Sequence, residues 1–110
     1  MHGISEKGER MNLQLPDEVC ILDISYRVAV VDSIKEDDLV IGHVDHQSQT
    51  IRIKSDLSQA KAEQTLLHEV LHGVFNELGE YRIDEDERLV QSLAATLHQV
   101  GYRLPLREGV

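Results

Sequence analysis

Near residue 58 the spacing of the apolar residues changes. Before it, Thr50-Ile51-Arg52-Ile53-Lys54 alternates polar with apolar, the period-two pattern of a strand with one buried face. After it, Leu67, Leu71, Val74, Phe75 and Leu78 recur at steps of three and four, with Leu66 and Val70 widening the stripe. That is the period of an amphipathic helix. Strands first and helices afterwards is the segregated order of an α+β domain.

The strand half contains two candidate runs. "EVCILDISYRVAVVD" (18–32) is rich in Val and Ile. "DISY" within it is either a turn between two strands or a kink in one long strand. After a charged loop, "SIKEDD" (33–38), residues 39–55 read as a hairpin. Its first arm is 39–44, "DHQSQ" is the turn, and Thr50–Lys54 is the second arm. Gly42 inside an arm marks a bulge or a close backbone approach.

In the helical half, Ser58 is the expected N-cap and Gly79 the C′ glycine. A second helix is expected from near Asp84 to about Val100. Leu89, Val90, Leu93, Ala94 and Leu97 form its apolar face, and Gly101 ends it. Pro105 keeps the tail, 105–110, from being helical. Residues 1–12 are polar and aperiodic, which predicts a disordered arm with Met11 as an alternative start. One domain, 13–104, remains between arm and tail.

With 110 residues, 41% apolar and 28% charged, the chain suits one soluble domain with a modest core. Only one Phe, three Tyr and no Trp are present, so the core falls to Leu, Val, Ile and Ala. The net charge of −9, with no basic run, speaks against nucleic acid and anionic membranes as partners. The single Cys20 cannot form an intrachain disulfide, and it reads as a small core residue. No signal-like segment opens the sequence and no apolar run approaches a membrane span, so an intracellular, cytoplasmic location is expected.

The chemistry is concentrated in His68-Glu69-Val70-Leu71-His72. Residues four apart on a helix differ by about 40° in azimuth, so His68 and His72 project side by side. Each can offer one ring nitrogen to a metal at about 2.0–2.1 Å, the zinc–nitrogen distance. Glu69 lies about 100° around from His68, beside the ion rather than on it. There it would act as general base toward a water at the open coordination position. Gly73 follows at once, where Ala would favour the helix by about 1 kcal/mol. It marks a close approach by other groups.

A catalytic zinc usually has three protein ligands. Glu87 is the expected third, one turn into the second helix and in line with the apolar Val90 and Leu93. A rival reading makes Asp84-x-x-Glu87 a capping box. Asp84, Glu85 and Asp86 are expected as cap and dipole partners.

"QTLLHEVLHGVFNELG" followed by "EDERLVQSLAATL" resembles the small zinc peptidases of the ImmA/IrrE-like group, many of them from phages and mobile elements. In that group's second motif the Glu corresponds to Glu87 and the following pair to Leu93-Ala94, while Gln91 stands where Asn is usual. The upstream "IGHVDHQSQTIRIKSDLS" is similar to the hairpin of phage members. The resemblance spans about residues 17–100. It implies a minimal zincin-like domain: a small, mostly antiparallel three-stranded sheet packed on the HExxH helix, with a second helix carrying the third ligand. It further implies one zinc per chain, held by His68, His72 and Glu87, and a regulator or repressor protein as substrate.

His43 and His46 are expected as exposed turn residues that could also touch metal or substrate, and His98 as a surface residue. Tyr26, Tyr81 and Tyr102 are candidates to stabilise an oxyanion or to sit at the core edge. Asp37-Asp38 read as a solvated loop. The expected function is a zinc-dependent endopeptidase acting on a protein or peptide, with Glu69 activating the water. The alternatives are a non-catalytic zinc-binding interaction module and a metal-dependent amidase acting on a non-peptide amide. Either hairpin edge could pair with an extended substrate.

Overall fold

A tight turn at Leu22 and Asp23 decides between the two readings of the first run. Both residues have positive φ, 49° and 70°, as the two central residues of a primed hairpin turn require. The turn joins β1 (Glu18–Ile21) to β2 (Ile24–Val31), paired antiparallel from Ile21↔Ile24 to Glu18↔Arg27. β3 (Gly42–Asp45) and β4 (Thr50–Lys54) follow, then α1 (Gln59–Glu77), a single turn α2 (Tyr81–Asp84) and α3 (Glu87–Gln99). This computed structural model describes residues 13–105. The expected arm, the Met11 start and most of the tail lie outside the described residues.

The domain is α+β, as its order of patterns implies, but the sheet differs from expectation. It has four strands in the order β1-β2-β4-β3 and is mixed. β3 and β4 form the expected antiparallel hairpin. β4, however, docks parallel to β2, from Arg27↔Thr50 to Val31↔Lys54. The first run breaks into two strands at the turn, which raises the count from three to four. Alternation marks the hairpin arms but not which arm meets β2. The first arm also starts later than residue 39. Asp37 ties up the approach, its carboxylate accepting from Leu39 N–H and its carbonyl from Val40 N–H. Leu39 is left 89% exposed.

Val19, Ile21, Tyr26, Ile51, Ile53, Ala62 and Leu66 form the core between the sheet and α1. Each large apolar side chain buried there contributes roughly 1.5–3 kcal/mol. α1 contacts β1, β3 and β4, and α3 packs on α1 and α2 rather than on the sheet. Val90 and Ala94 of α3 are fully buried. A Cβ on Gly73 would stand 2.7 Å from Ile21 Cδ1, so this glycine lets α1 settle onto β1.

Three further expectations change. Cys20 is exposed, because β1 alternates and Val19 and Ile21 take its inward positions. Tyr26 is wholly buried rather than at the core edge. His98 is not a free surface residue: its Nε2 lies 2.9 Å from Glu63 Oε1, tying α3 to α1. The helix ends behave largely as read. The Ser58 side chain accepts from Lys61 N–H, and Gly79 and Gly101 have φ of +75° and +98°. α3, however, is capped by Asp86, whose carboxylate accepts from Leu89 N–H, and not by Asp84. Among the described residues, no helix is long and apolar enough to cross a membrane.

Candidate metal centre

His68 and His72 stand one turn apart on α1, their ring centroids 4.8 Å apart and their planes inclined at 61°. Each ring is fixed by its Nδ1. The His72 Nδ1–H donates to Asp84 Oδ1 at 2.8 Å, and the His68 Nδ1–H donates to Gln91 Oε1 at 2.7 Å. Anchoring Nδ1 in this way aims Nε2 of both rings at the site, the nitrogen that a metal would bind in place of a proton.

The two Nε2 atoms are 3.2 Å apart. Glu87 Oε1 lies 3.0 Å from His68 Nε2, and Glu87 Oε2 lies 3.0 Å from His72 Nε2. Three tetrahedral ligands at about 2.05 Å from one zinc would be separated by about 3.3 Å. With each Nδ1 anchored, the two Nε2 atoms and the Glu87 carboxylate converge on one point, which a shared proton or a metal cation can fill. His68, His72 and Glu87 therefore form a group that could hold a metal ion.

The chain reaches this geometry through its turns. Gly79 ends α1, α2 swings the chain back, and α3 starts beside His72 with Glu87 as its first residue. Gln91 follows one turn later on the same face. Because Asp86 is the cap and Asp84 holds His72, Glu87 is not the closing residue of an Asp84 capping box, and its carboxylate is free to face the histidines. Glu85 lines the cavity beside it. The sequence reading missed Asp84 and Gln91 as ring anchors. The signal was available, since a ligating histidine ordinarily gives its second N–H to an acceptor and both residues lie within a turn of Glu87.

Glu69 is only 8% exposed. Burial raises its pKa; the nearby His68 and His72 oppose this, and the carboxylates of Glu87 and Asp84 reinforce it, leaving the pKa above the ordinary carboxylate value. Burial also acts against a charged His72. The hydrogen bond to Asp84 and the charges of Glu87 and Glu69 outweigh it, and His72 is held above its usual value. A carboxyl raised by desolvation beside a metal-ligand group is a candidate general base.

The centre opens into a cavity of about 570 Å³ walled by α1, the approach to β3 and β3 itself. β3 comes this close because Gly42 has no side chain: a Cβ there would stand 2.6 Å from Thr65 Cγ2 and 3.1 Å from Glu69 Oε2. The glycine marks a close approach, one of its two expected roles.

The remaining candidates lie outside the ligand group, although His43 and His46 line the same cavity. His43 and His46 are half-buried rather than exposed, and neither joins the ligand group among the described residues. His46 Nδ1 lies 3.5 Å from the Tyr26 hydroxyl, which donates to Glu77 Oε2 at 3.3 Å. Burial, the Lys35 charge and that of Arg52 hold His43 below its usual pKa despite Asp45. Tyr26 is raised by burial and by Glu77, and Tyr81 and Tyr102 are exposed. None of the three tyrosines lines the cavity. Comparison of the chain with protein-family models, with curated proteins and with solved structures found no match.

Proposed function

We propose that this protein is a zinc-dependent peptidase. One observation carries the reading: the Nε2 atoms of His68 and His72 and the Glu87 carboxylate converge within 3.2 Å while Asp84 and Gln91 anchor the two Nδ1 atoms. Two imidazoles and one carboxylate are a ligand set of catalytic zinc that Fe(II) also takes; the HExxH spacing, with Glu69 beside the ligands, favours zinc. A structural zinc would close its fourth position with protein. Among the described residues no fourth His, Cys, Asp or Glu joins the group, which favours catalysis over a purely structural module. The resemblance to ImmA/IrrE-like peptidases points the same way.

A bound zinc would supply Lewis-acid polarisation of the scissile carbonyl and of the attacking water. The protein does the rest. Glu69 takes a proton from the water and passes it to the departing amine nitrogen. Its burial keeps that proton within its range. β3 lies at the end of the sheet order. By antiparallel alternation its Gly42 and Val44 turn their N–H and C=O groups away from β4, because Ile41 and Lys54 form a hydrogen-bonded pair. An extended peptide can add there as a further strand, beside Glu69.

The test is metal analysis paired with Glu69→Gln. The wild type is expected to bind about one zinc per chain and to cleave members of a proteome-derived peptide library. Glu69→Gln is expected to keep zinc and lose cleavage. Undiminished cleavage by Glu69→Gln would rule out the proposed base.

A further inference from the structure

One cationic side chain of the cavity wall has no part in metal binding or proton transfer. Lys61 is the one lysine or arginine among the residues that line it. We infer that Lys61 is a specificity-determining residue that binds a substrate carboxylate on the C-terminal side of the cleaved bond. This rests on the peptidase reading.

The placement follows from the helix. Lys61, Thr65, His68 and His72 lie at steps of four, three and four along α1, so they share one face. Lys61 precedes His68 by seven residues, about 10.5 Å along the axis. Among the described residues it makes no ion pair. Its neighbours three and four away, Leu57, Ser58, Gln64 and Thr65, carry no charge. It also contradicts helix stability. α1 has no acidic residue in its first turn, where Asp or Glu would favour the macrodipole and Lys opposes it. A cation kept against the local preference in a cavity wall is accounted for by an anion that it meets there.

The direction of the peptide follows from β3. Gly42 lies against Thr65 and Glu69, and His46 lies by Tyr26 and Glu77. β3 therefore runs alongside α1 in the same sense. A peptide pairing antiparallel to β3, the more stable arrangement, runs the opposite way. Its C-terminal part points from the centre toward residues 39–41 and Lys61. At about 3.4 Å per residue, an offset of about 10.5 Å places the bound carboxylate about three residues beyond the cleaved bond. That is roughly one Debye length from the carboxylates at the centre, so their repulsion is largely screened. The carboxylate is an Asp or Glu side chain or the peptide's own C-terminus.

The zinc-loaded chain would be tested on a proteome-derived peptide library, with cut sites read by mass spectrometry. Asp and Glu are expected to be enriched at the second to fourth positions after the cut. In the best-cleaved peptide, changing that Glu to Gln should lower kcat/KM about three- to fivefold, the scale of an exposed ion pair. The ratio should fall to one in Lys61→Ala and invert toward a Lys-bearing peptide in Lys61→Glu. The same peptide, fluorescein-labelled, should bind the Glu69→Gln protein more weakly once Lys61→Ala is added, read by anisotropy. Lys61→Glu suits the helix dipole, so its melting temperature should not fall, which separates a binding change from misfolding. Comparing free and amidated C-termini distinguishes the two carboxylate sources. Glu69-dependent cleavage with no acidic enrichment and no change in Lys61→Glu would overturn the Lys61 assignment and leave the peptidase reading standing. No Glu69-dependent cleavage at all would overturn both.

Discussion

Glu69 Oε2 lies 3.1 Å from where a Cβ on Gly42 would stand. The edge strand and the candidate base are thus in contact because position 42 has no side chain. Thr65 Cγ2 is closer still, at 2.6 Å. Thr65 is β-branched and stiff, and its hydroxyl donates to the Lys61 carbonyl, so it has little room to retreat. Gly42→Ala is expected to cost about 1–3 kcal/mol through overpacking and to lower peptide cleavage by moving β3 away from Glu69. Zinc stoichiometry should be unchanged, because the atoms nearest a Cβ at position 42 belong to Thr65 and Glu69 and not to the three ligands. Denaturant unfolding, metal analysis and cleavage assays together check this.

Asp84 and Gln91 act on the metal only through the rings they orient. Removing either acceptor frees an imidazole to rotate or to change tautomer. Asp84→Ala and Gln91→Ala are each expected to weaken zinc binding about 10- to 100-fold. Asp84→Asn should lose less, since its amide oxygen can still accept the His72 proton. Competition with a chelating dye measures all three. Wild-type affinity in Asp84→Ala would mean that His72 is held in place by other contacts.

Glu87 separates metal binding from folding. Its side chain is 69% exposed, so Glu87→Ala should change the stability of the zinc-free protein by no more than about 0.5 kcal/mol. The same substitution should abolish stoichiometric zinc. In the wild type, chelation should lower the melting temperature, because the three ligands are assembled only in the folded chain. In Glu87→Ala, chelation should have almost no effect. Full zinc occupancy in Glu87→Ala would remove Glu87 from the ligand set.

The sequence was most legible where one period or one spacing decides the matter. The helical stripe, the Ser58 cap, the glycine stops and the His68–His72 pair are local and need no knowledge of neighbours. The sheet was less legible. Leu22-Asp23 is not an obvious primed turn, since Leu rarely adopts positive φ, and nothing in Thr50–Lys54 says that it pairs with β2 in parallel. Cys20 shows the same limit on a smaller scale. Its run is apolar, but which of two alternating positions points inward depends on the turn that follows. At the site, Glu87 was within reach of helical geometry. The roles of Asp84 and Gln91 needed the further rule that a ligating histidine gives its second N–H to an acceptor, and which nearby residue accepts depends on the single turn of α2 and on the start of α3 at residue 87.

Gly73 is a milder case than Gly42. A Cβ there meets only Ile21 Cδ1, the end of a side chain, at 2.7 Å. Gly73→Ala gains about 1 kcal/mol of helix propensity and loses a similar amount to the clash. Ile21→Val alone should cost about 0.5–1.5 kcal/mol. In the double variant the removed methyl makes room for the new one, so the two effects should couple by at least about 0.5 kcal/mol in the stabilising direction. Additive behaviour in a double-mutant cycle would show that α1 moves off β1 instead.

Glu63 supplies the acid limb of stability away from the metal centre. Burial raises its pKa, but the Gln59 and His98 hydrogen bonds and the Arg103 charge outweigh this and hold the carboxylate below its ordinary value of 4.5. Arg103 Nε lies 3.0 Å and His98 Nε2 2.9 Å from the same Glu63 oxygen. These contacts tie α3 and the chain just after it to α1. A carboxylate whose pKa is lowered on folding stabilises the native state above its unfolded value, and that contribution fades as pH falls through the folded one. Glu63→Gln should therefore cost about 1–2 kcal/mol near pH 6. The gap to the wild type should narrow once the pH drops below 4.5. Urea unfolding from pH 6 down to about 3 spans that window. A gap that stays constant across it would mean that Glu63 acts through packing, with its ionised contacts to His98 and Arg103 adding nothing.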